Sequence, residues 1–241
     1  MEVIEKTGRN EMKTIGLIGG MSWESTVTYY EIINRTIKEK LGGLHSGKLV
    51  LFSVDFQEIE ECQAKGEWNK SAKILTEAAQ SLEKAGADFI VICTNTMHKI
   101  APDIQKNINI PILHIAEATA DELDKKEIKK VALLGTKYTM EQDFYKNKLI
   151  DRGIEVVIPD DEDRAEVNRV IYEELCLGKI LPASKKRFLD IMDKLAKNGA
   201  QGVILGCTEI GLLVQQKDTE ISLFDTAAIH AESAALKSIE K

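Results

Sequence analysis

Glu83-Lys-Ala-Gly-Ala-Asp-Phe-Ile-Val-Ile-Cys-Thr94-Asn-Thr and Ala196-Lys-Asn-Gly-Ala-Gln-Gly-Val-Ile-Leu-Gly-Cys207-Thr-Glu read as two copies of one segment. Aligned on Gly86 and Gly199, each gives a helix end, a short apolar run and a polar turn. Eight residues after the glycine, one copy carries Thr94 and the other carries Cys207. The likeness extends upstream. Lys13-Thr-Ile-Gly-Leu-Ile-Gly19 and Lys130-Val-Ala-Leu-Leu-Gly135 are both apolar runs that enter a tight turn, at nearly the same offset as the first pair. Such runs fit buried strands of a parallel sheet.

The periodicity between these anchors fills in the rest. In the first half it predicts strands at 13–19, 48–55, 88–93 and 110–114. Helices are predicted after Met21-Ser22, with Ser22 or Ser25 as cap, then at 68–84, from Thr94 to Ile104, and at 116–126, with a polar loop of helical character at 56–65. In the second half it predicts strands at 130–135, 154–158, 202–206 and 221–225. The helices there are 139–152, 162–177, 182–198 and 227–239. Alternating strands and helices argue for an α/β fold with parallel sheets. The repeat divides it into two pseudo-symmetric open lobes of Rossmann-like or flavodoxin-like kind, residues 13–115 and 116–241. The last helix is expected to pack back on the first lobe. Residues 1–12 read as a charged, disordered leader without the apolar core of a signal peptide.

Composition narrows the function. The 241 residues suffice for two such lobes with real cores. A net charge of −7 with no Lys/Arg cluster argues against nucleic acid. No apolar stretch is long enough for a membrane span. Cys62, Cys93, Cys176 and Cys207 lack zinc-site spacing and are too few for a disulfide framework, so reduced thiols in the cytoplasm are expected and no metal site.

Ligands of open parallel sheets sit beyond the carboxyl ends of the strands. The residues there are Met21 and Ser22, Gln57 with its neighbours, Thr94, Asn95 and Thr96, Thr136, and Cys207, Thr208 and Glu209. The set is rich in hydroxyls and amides. Several of its members open helices, where free N–H groups favour an anion. A small carboxylate or phosphate is the natural occupant. The same helix-start position is expected to lower the pKa of Cys207 and make it a reactive thiolate. Gly16-Leu-Ile-Gly19-Gly20 is not a dinucleotide fingerprint, and neither a P-loop nor a G-x-S-x-G elbow occurs. His98 is expected to bond nearby loop backbone rather than transfer protons.

The motifs Gly-Leu-Ile-Gly-Gly-Met-Ser-Trp-Glu-Ser-Thr (16–26), Ser-Val-Asp-Phe (53–56), Cys-Thr-Asn-Thr-Met-His (93–98), Leu-Gly-Thr-Lys-Tyr-Thr-Met (134–140), Gly-Cys-Thr-Glu-Ile (206–210) and Phe-Asp-Thr-Ala-Ala-Ile-His-Ala (224–231) together carry a specific resemblance. The chain resembles the aspartate/glutamate racemase superfamily, within it the L-aspartate/glutamate-specific and broad-specificity amino-acid racemases. The resemblance implies two lobes with the site between them, a homodimer, a small amino-acid substrate and racemisation without pyridoxal phosphate or any other cofactor. It also implies two cysteines on opposite faces of the substrate. Cys207 matches the second. The first is replaced by Thr94, and Cys93, one place earlier on a strand, is expected to face away.

A thiol needs only modest help to be a thiolate at neutral pH, whereas a threonine hydroxyl, far more basic when ionised, is rarely available as a base. The resemblance implies that the second-lobe cysteine serves the L-enantiomer, so the expected enzyme deprotonates L-aspartate or L-glutamate through Cys207, with Thr94 assisting weakly on the opposite face. Asn95, Thr96 and Thr208 are expected to hold the α-carboxylate, and Gln57 and Gln63 to read the side chain. The alternatives are a maleate isomerase or arylmalonate decarboxylase of the same fold, and a non-catalytic amino-acid-binding protein.

Overall fold

The computed structural model describes residues 12–240; the expected leader up to Glu11 lies outside them. Eight strands form two four-stranded sheets, every neighbouring pair parallel. The first contains β1 (Ile15–Gly19), β2 (Leu49–Ser53), β3 (Phe89–Ile92) and β4 (Ile112–Leu113), in the order β2-β1-β3-β4. The second contains β5 (Lys130–Gly135), β6 (Glu155–Val157), β7 (Gly202–Gly206) and β8 (Ser222–Asp225), in the order β6-β5-β7-β8. The halves share one topology. Both β3 and β7 are buried along their whole length, as strands covered by helices on both faces must be.

The helices are α1 (Trp23–Leu41), α2 (Phe56–Lys65), α3 (Trp68–Lys84), α4 (Ala101–Gln105), α5 (Ile115–Lys125), α6 (Lys137–Glu141), α7 (Asp143–Ile150), α8 (Asp161–Glu173), α9 (Pro182–Lys197), α10 (Ile210–Leu213) and α11 (Thr226–Ile239). Five expectations are corrected. The 56–65 loop is the helix α2, started by Asp55, whose carboxylate accepts from the Gln57 N–H at 3.1 Å. The helix expected from Thr94 is a 3₁₀ stretch, Thr96–Ile100, followed by α4, because Pro102 tolerates only the opening of a helix. The 139–152 helix breaks where Gln142 is extended, and 162–177 ends at Glu173 before a short 3₁₀ turn. Ser22 stands at the N-cap of α1, but its side chain makes no capping bond.

Two helices cross between the halves. After β4, α5 buries Ile115, Ala116, Ala120 and Leu123 against Val131, Leu133, Ile204 and Phe224 of the second sheet. After β8, α11 buries Ala227, Ala231, Ala234 and Ala235 against Ile15, Leu17, Phe89 and Val91 of the first sheet and Tyr29, Ile33 and Ile37 of α1. Its small residues give α1 a close approach. His230 anchors the crossing: its Nε2 donates to the Leu113 carbonyl at 2.8 Å, and its Nδ1 accepts from the Tyr29 hydroxyl at 2.9 Å. This reciprocal exchange brings the carboxyl ends of β3 and β7 to one cleft.

Candidate active site

Thr94 and Cys207 follow equivalent central strands and line the same narrow cavity, about 20 Å³ in volume. Side chains alternate along a strand, so the neighbour of Thr94 must point the other way. Cys93 does. It is fully buried among Ile15, Leu17 and Tyr29, and burial pushes its thiol pKa up. On the other side, β5 and β7 run so close that a side chain on Gly206 would approach the Leu134 carbonyl to 2.8 Å. Only glycine lets the strand end there and turn Cys207 into the cleft.

The Cys207 thiol donates to Glu209 Oε2 at 2.9 Å, and the Thr208 hydroxyl donates to the same oxygen at 3.0 Å. The Ser22 hydroxyl, from the first half, donates to Glu209 Oε1 at 2.6 Å. Burial and then the Glu209 carboxylate raise the Cys207 pKa well above its ordinary value. This corrects the expectation of a helix-activated thiolate. The helix after Cys207 has only four residues, and a carboxylate stands at its entrance. The resting group is a thiol.

The opposite wall comes from the first half. Asn95 Nδ2 donates to Thr226 Oγ1 at 2.9 Å, and that hydroxyl spends its proton on the Leu205 carbonyl at 2.7 Å. The amide orientation is thereby fixed, and Asn95 Oδ1 is left buried without a partner. Thr96 and Thr136 bond across the cleft at 3.0 Å. Gln63 closes the mouth. Its carbonyl accepts from the Tyr138 hydroxyl at 3.1 Å, its side-chain oxygen from the Tyr172 hydroxyl at 3.2 Å. His98 donates from Nδ1 to the Thr94 carbonyl at 2.8 Å and accepts the Ile115 N–H on Nε2 at 3.2 Å. Both nitrogens are used, and burial holds its pKa down at about 4, so it is a neutral ring that fixes the Thr94 turn.

Of the residues singled out in the sequence, Met21, Gln63, Thr94, Asn95, Thr96, Thr136, Cys207 and Glu209 line the cavity. Ser22 and Thr208 reach it through Glu209. Gln57 does not belong: it is exposed on α2 and pairs with Glu61, one turn on, at 3.1 Å. Phe56, a neighbour of Gln57 at the second strand's end, does line the cavity, whereas Ile171, Tyr172 and Cys176 were missed. The last two lie four residues apart on the run from α8 into its 3₁₀ extension, and only that spacing could have paired them. Among the described residues lining the cavity, Glu209 is the single charged group.

Residues 18–234 match the Asp/Glu/hydantoin racemase family, and the chain belongs to it. Its homologues are amino-acid racemases, which are isomerases. The fold superimposes on a candidate Asp/Glu racemase from Yersinia pestis at 55% identity and TM-score 0.88, covering 95% of this chain and all of that one. An aspartate racemase homologue from Pyrococcus horikoshii matches at 40% identity and TM-score 0.82 with the same coverage. The broad-specificity amino-acid racemase RacX of Bacillus subtilis is 29% identical over 67% of this chain and 69% of its own length.

Proposed function

We propose that the protein is a cofactor-independent amino-acid racemase in which Cys207 removes the α-proton of the L-enantiomer and Thr94 serves the opposite face. The carrying observation is that Thr94 and Cys207 end equivalent strands of the two halves and line one cavity. The unpartnered Asn95 Oδ1 accepts from the substrate ammonium. Thr96 and Thr136, with the amides near Asn95 and Thr208, hold the α-carboxylate and the charge that develops on it. The ammonium brings positive charge beside a thiol that is protonated at rest, which favours the thiolate when substrate is bound. The Cα–H pair of electrons stays on carbon as the proton passes to sulfur, and the Thr94 hydroxyl supplies a proton from the other side. Because the threonine hydroxyl is rarely ionised, exchange of the α-proton of the L-enantiomer outpaces that of the D-enantiomer, while interconversion, with an equilibrium constant of one, keeps equal kcat/KM in both directions.

L-aspartate and L-glutamate are the reference substrates. With Gln63 and Tyr172 but no Lys or Arg in the lining, side chains without charge are accepted too. The same reading includes lobes divided at residues 115 and 116, a cytoplasmic location, and a homodimer. The dimer would form through the exposed apolar face of Trp23, Val27, Tyr30, Leu51 and Phe52. Among the described residues, no helix is long and apolar enough to cross a membrane.

The test is chiral chromatography after incubation with a panel of L-amino acids, with maleate and an arylmalonate in parallel. D-amino acid from at least one L-substrate supports the proposal. Conversion of maleate or arylmalonate alone, or stabilisation by an amino acid without conversion, overturns it.

A further inference from the structure

Glu209 stands apart from the other cavity groups because its partners are all donors. The Cys207 S–H and Thr208 O–H share Oε2, and the Ser22 O–H occupies Oε1. The carboxylate is 3% exposed and forms no ion pair with a Lys or Arg among the described residues. The other titratable groups that face this pair are Cys176, Tyr172, Asp225 and Tyr29, and none is a cation. A thiolate formed at Cys207 by loss of its proton to water would therefore lie against a second buried negative charge. A direct transfer avoids this.

We propose that Glu209 is the catalytic acceptor of the Cys207 proton rather than a substrate contact. The inference rests on the racemase reading of the site. The S–H bond breaks, the Oε2–H bond forms, and the pair keeps one negative charge throughout. The thiolate then takes the α-proton and is a thiol again. Glu209 gives up its proton to solvent as Thr94 recovers one, so the cycle balances. Ser22 is a positioning residue that aims the carboxylate from across the cleft.

A pair that shares one proton titrates as a unit. The measurement is iodoacetamide alkylation of Cys207 from pH 4 to 10, followed by mass spectrometry of the Cys207 peptide. The wild-type rate should rise in two steps, with an intermediate plateau from the thiolate–carboxylic acid form. Glu209→Gln should show one step, shifted to lower pH because the neighbouring charge is gone. Its α-proton exchange should fall about 100-fold or more, the scale of a lost general base, while its alkylation at neutral pH rises. A variant that merely unfolds would lose its circular dichroism and show the single step of a solvated thiol at about pH 8.5. A single step in the wild type, or exchange in Glu209→Gln within threefold of wild type, overturns the proposal. The two readings separate: a two-step profile without conversion of any amino acid sinks the racemase and keeps the pair, and conversion with a one-step profile does the reverse.

Discussion

Replacing Gly20 by alanine tests how tightly the first strand's turn is built. Gly20 has φ +92°, and a Cβ there would lie 2.2 Å from the Val54 carbonyl oxygen, a backbone atom that cannot rotate aside. Gly86 has φ +91° with nothing within 4 Å of such a Cβ. The two positions thus share one backbone penalty, about 1–2 kcal/mol for a side chain at positive φ. Gly20→Ala adds an overlap of the kind that costs about 1–3 kcal/mol when a packed region must shift. Totals of about 2–5 kcal/mol for Gly20→Ala and about 1–2 for Gly86→Ala follow. At about 2–4 °C per kcal/mol for a chain of this size, Tm should fall by about 4–20 °C and about 2–8 °C. The shift in the Gly20 turn should also draw Ser22 away from Glu209 and lower activity, which Gly86→Ala leaves alone. Thermal melts of both variants, read by circular dichroism, decide the matter. Equal losses at the two positions would refute the contact argument.

Three further outcomes follow from named groups. His98 and His230 are held down at about 4 and about 3, mainly by burial, against about 6.5 when unfolded. Their stabilisation is complete above pH 6.5 and is lost as pH falls below it, so near pH 5.5 unfolding should take up about two protons through them. His230→Gln should reduce the measured uptake by about one, and no change would contradict the assignment. Cys93→Ala should leave L-substrate exchange within about twofold, because this thiol is buried away from the cleft; a loss of 100-fold would make Cys93 catalytic. Thr94→Cys should raise α-proton exchange of the D-enantiomer by tenfold or more, the scale of a gained proton-transfer group, and no gain would mean that another group serves that face.

The repeat around Gly86 and Gly199 made both sheets and the facing of Thr94 and Cys207 legible, since continuous apolar runs and period-two alternation need no tertiary information. The bounds of α3 and β7 could be read for the same reason. What escaped depended on partners distant in sequence. Burial by neighbouring helices and the Glu209 carboxylate, rather than the short helix after it, set the ionisation of Cys207. Tyr172 and Cys176 lie on a helix with no strand end to mark them. Gln57 and Gln63 looked alike as neighbours in one polar stretch, but once that stretch is a helix, six residues put them on different faces, one in water and one at the cavity mouth.

Solvent exchange at the α-carbon bears most directly on the claim that Cys207 and Thr94 are unequal halves of one site. In D₂O, followed by proton NMR, the wild type should label an L-amino acid substrate much faster than its D-enantiomer. Cys207→Ala should abolish labelling of the L-form. Equal labelling of both enantiomers by the wild type, or full labelling by Cys207→Ala, would contradict the account.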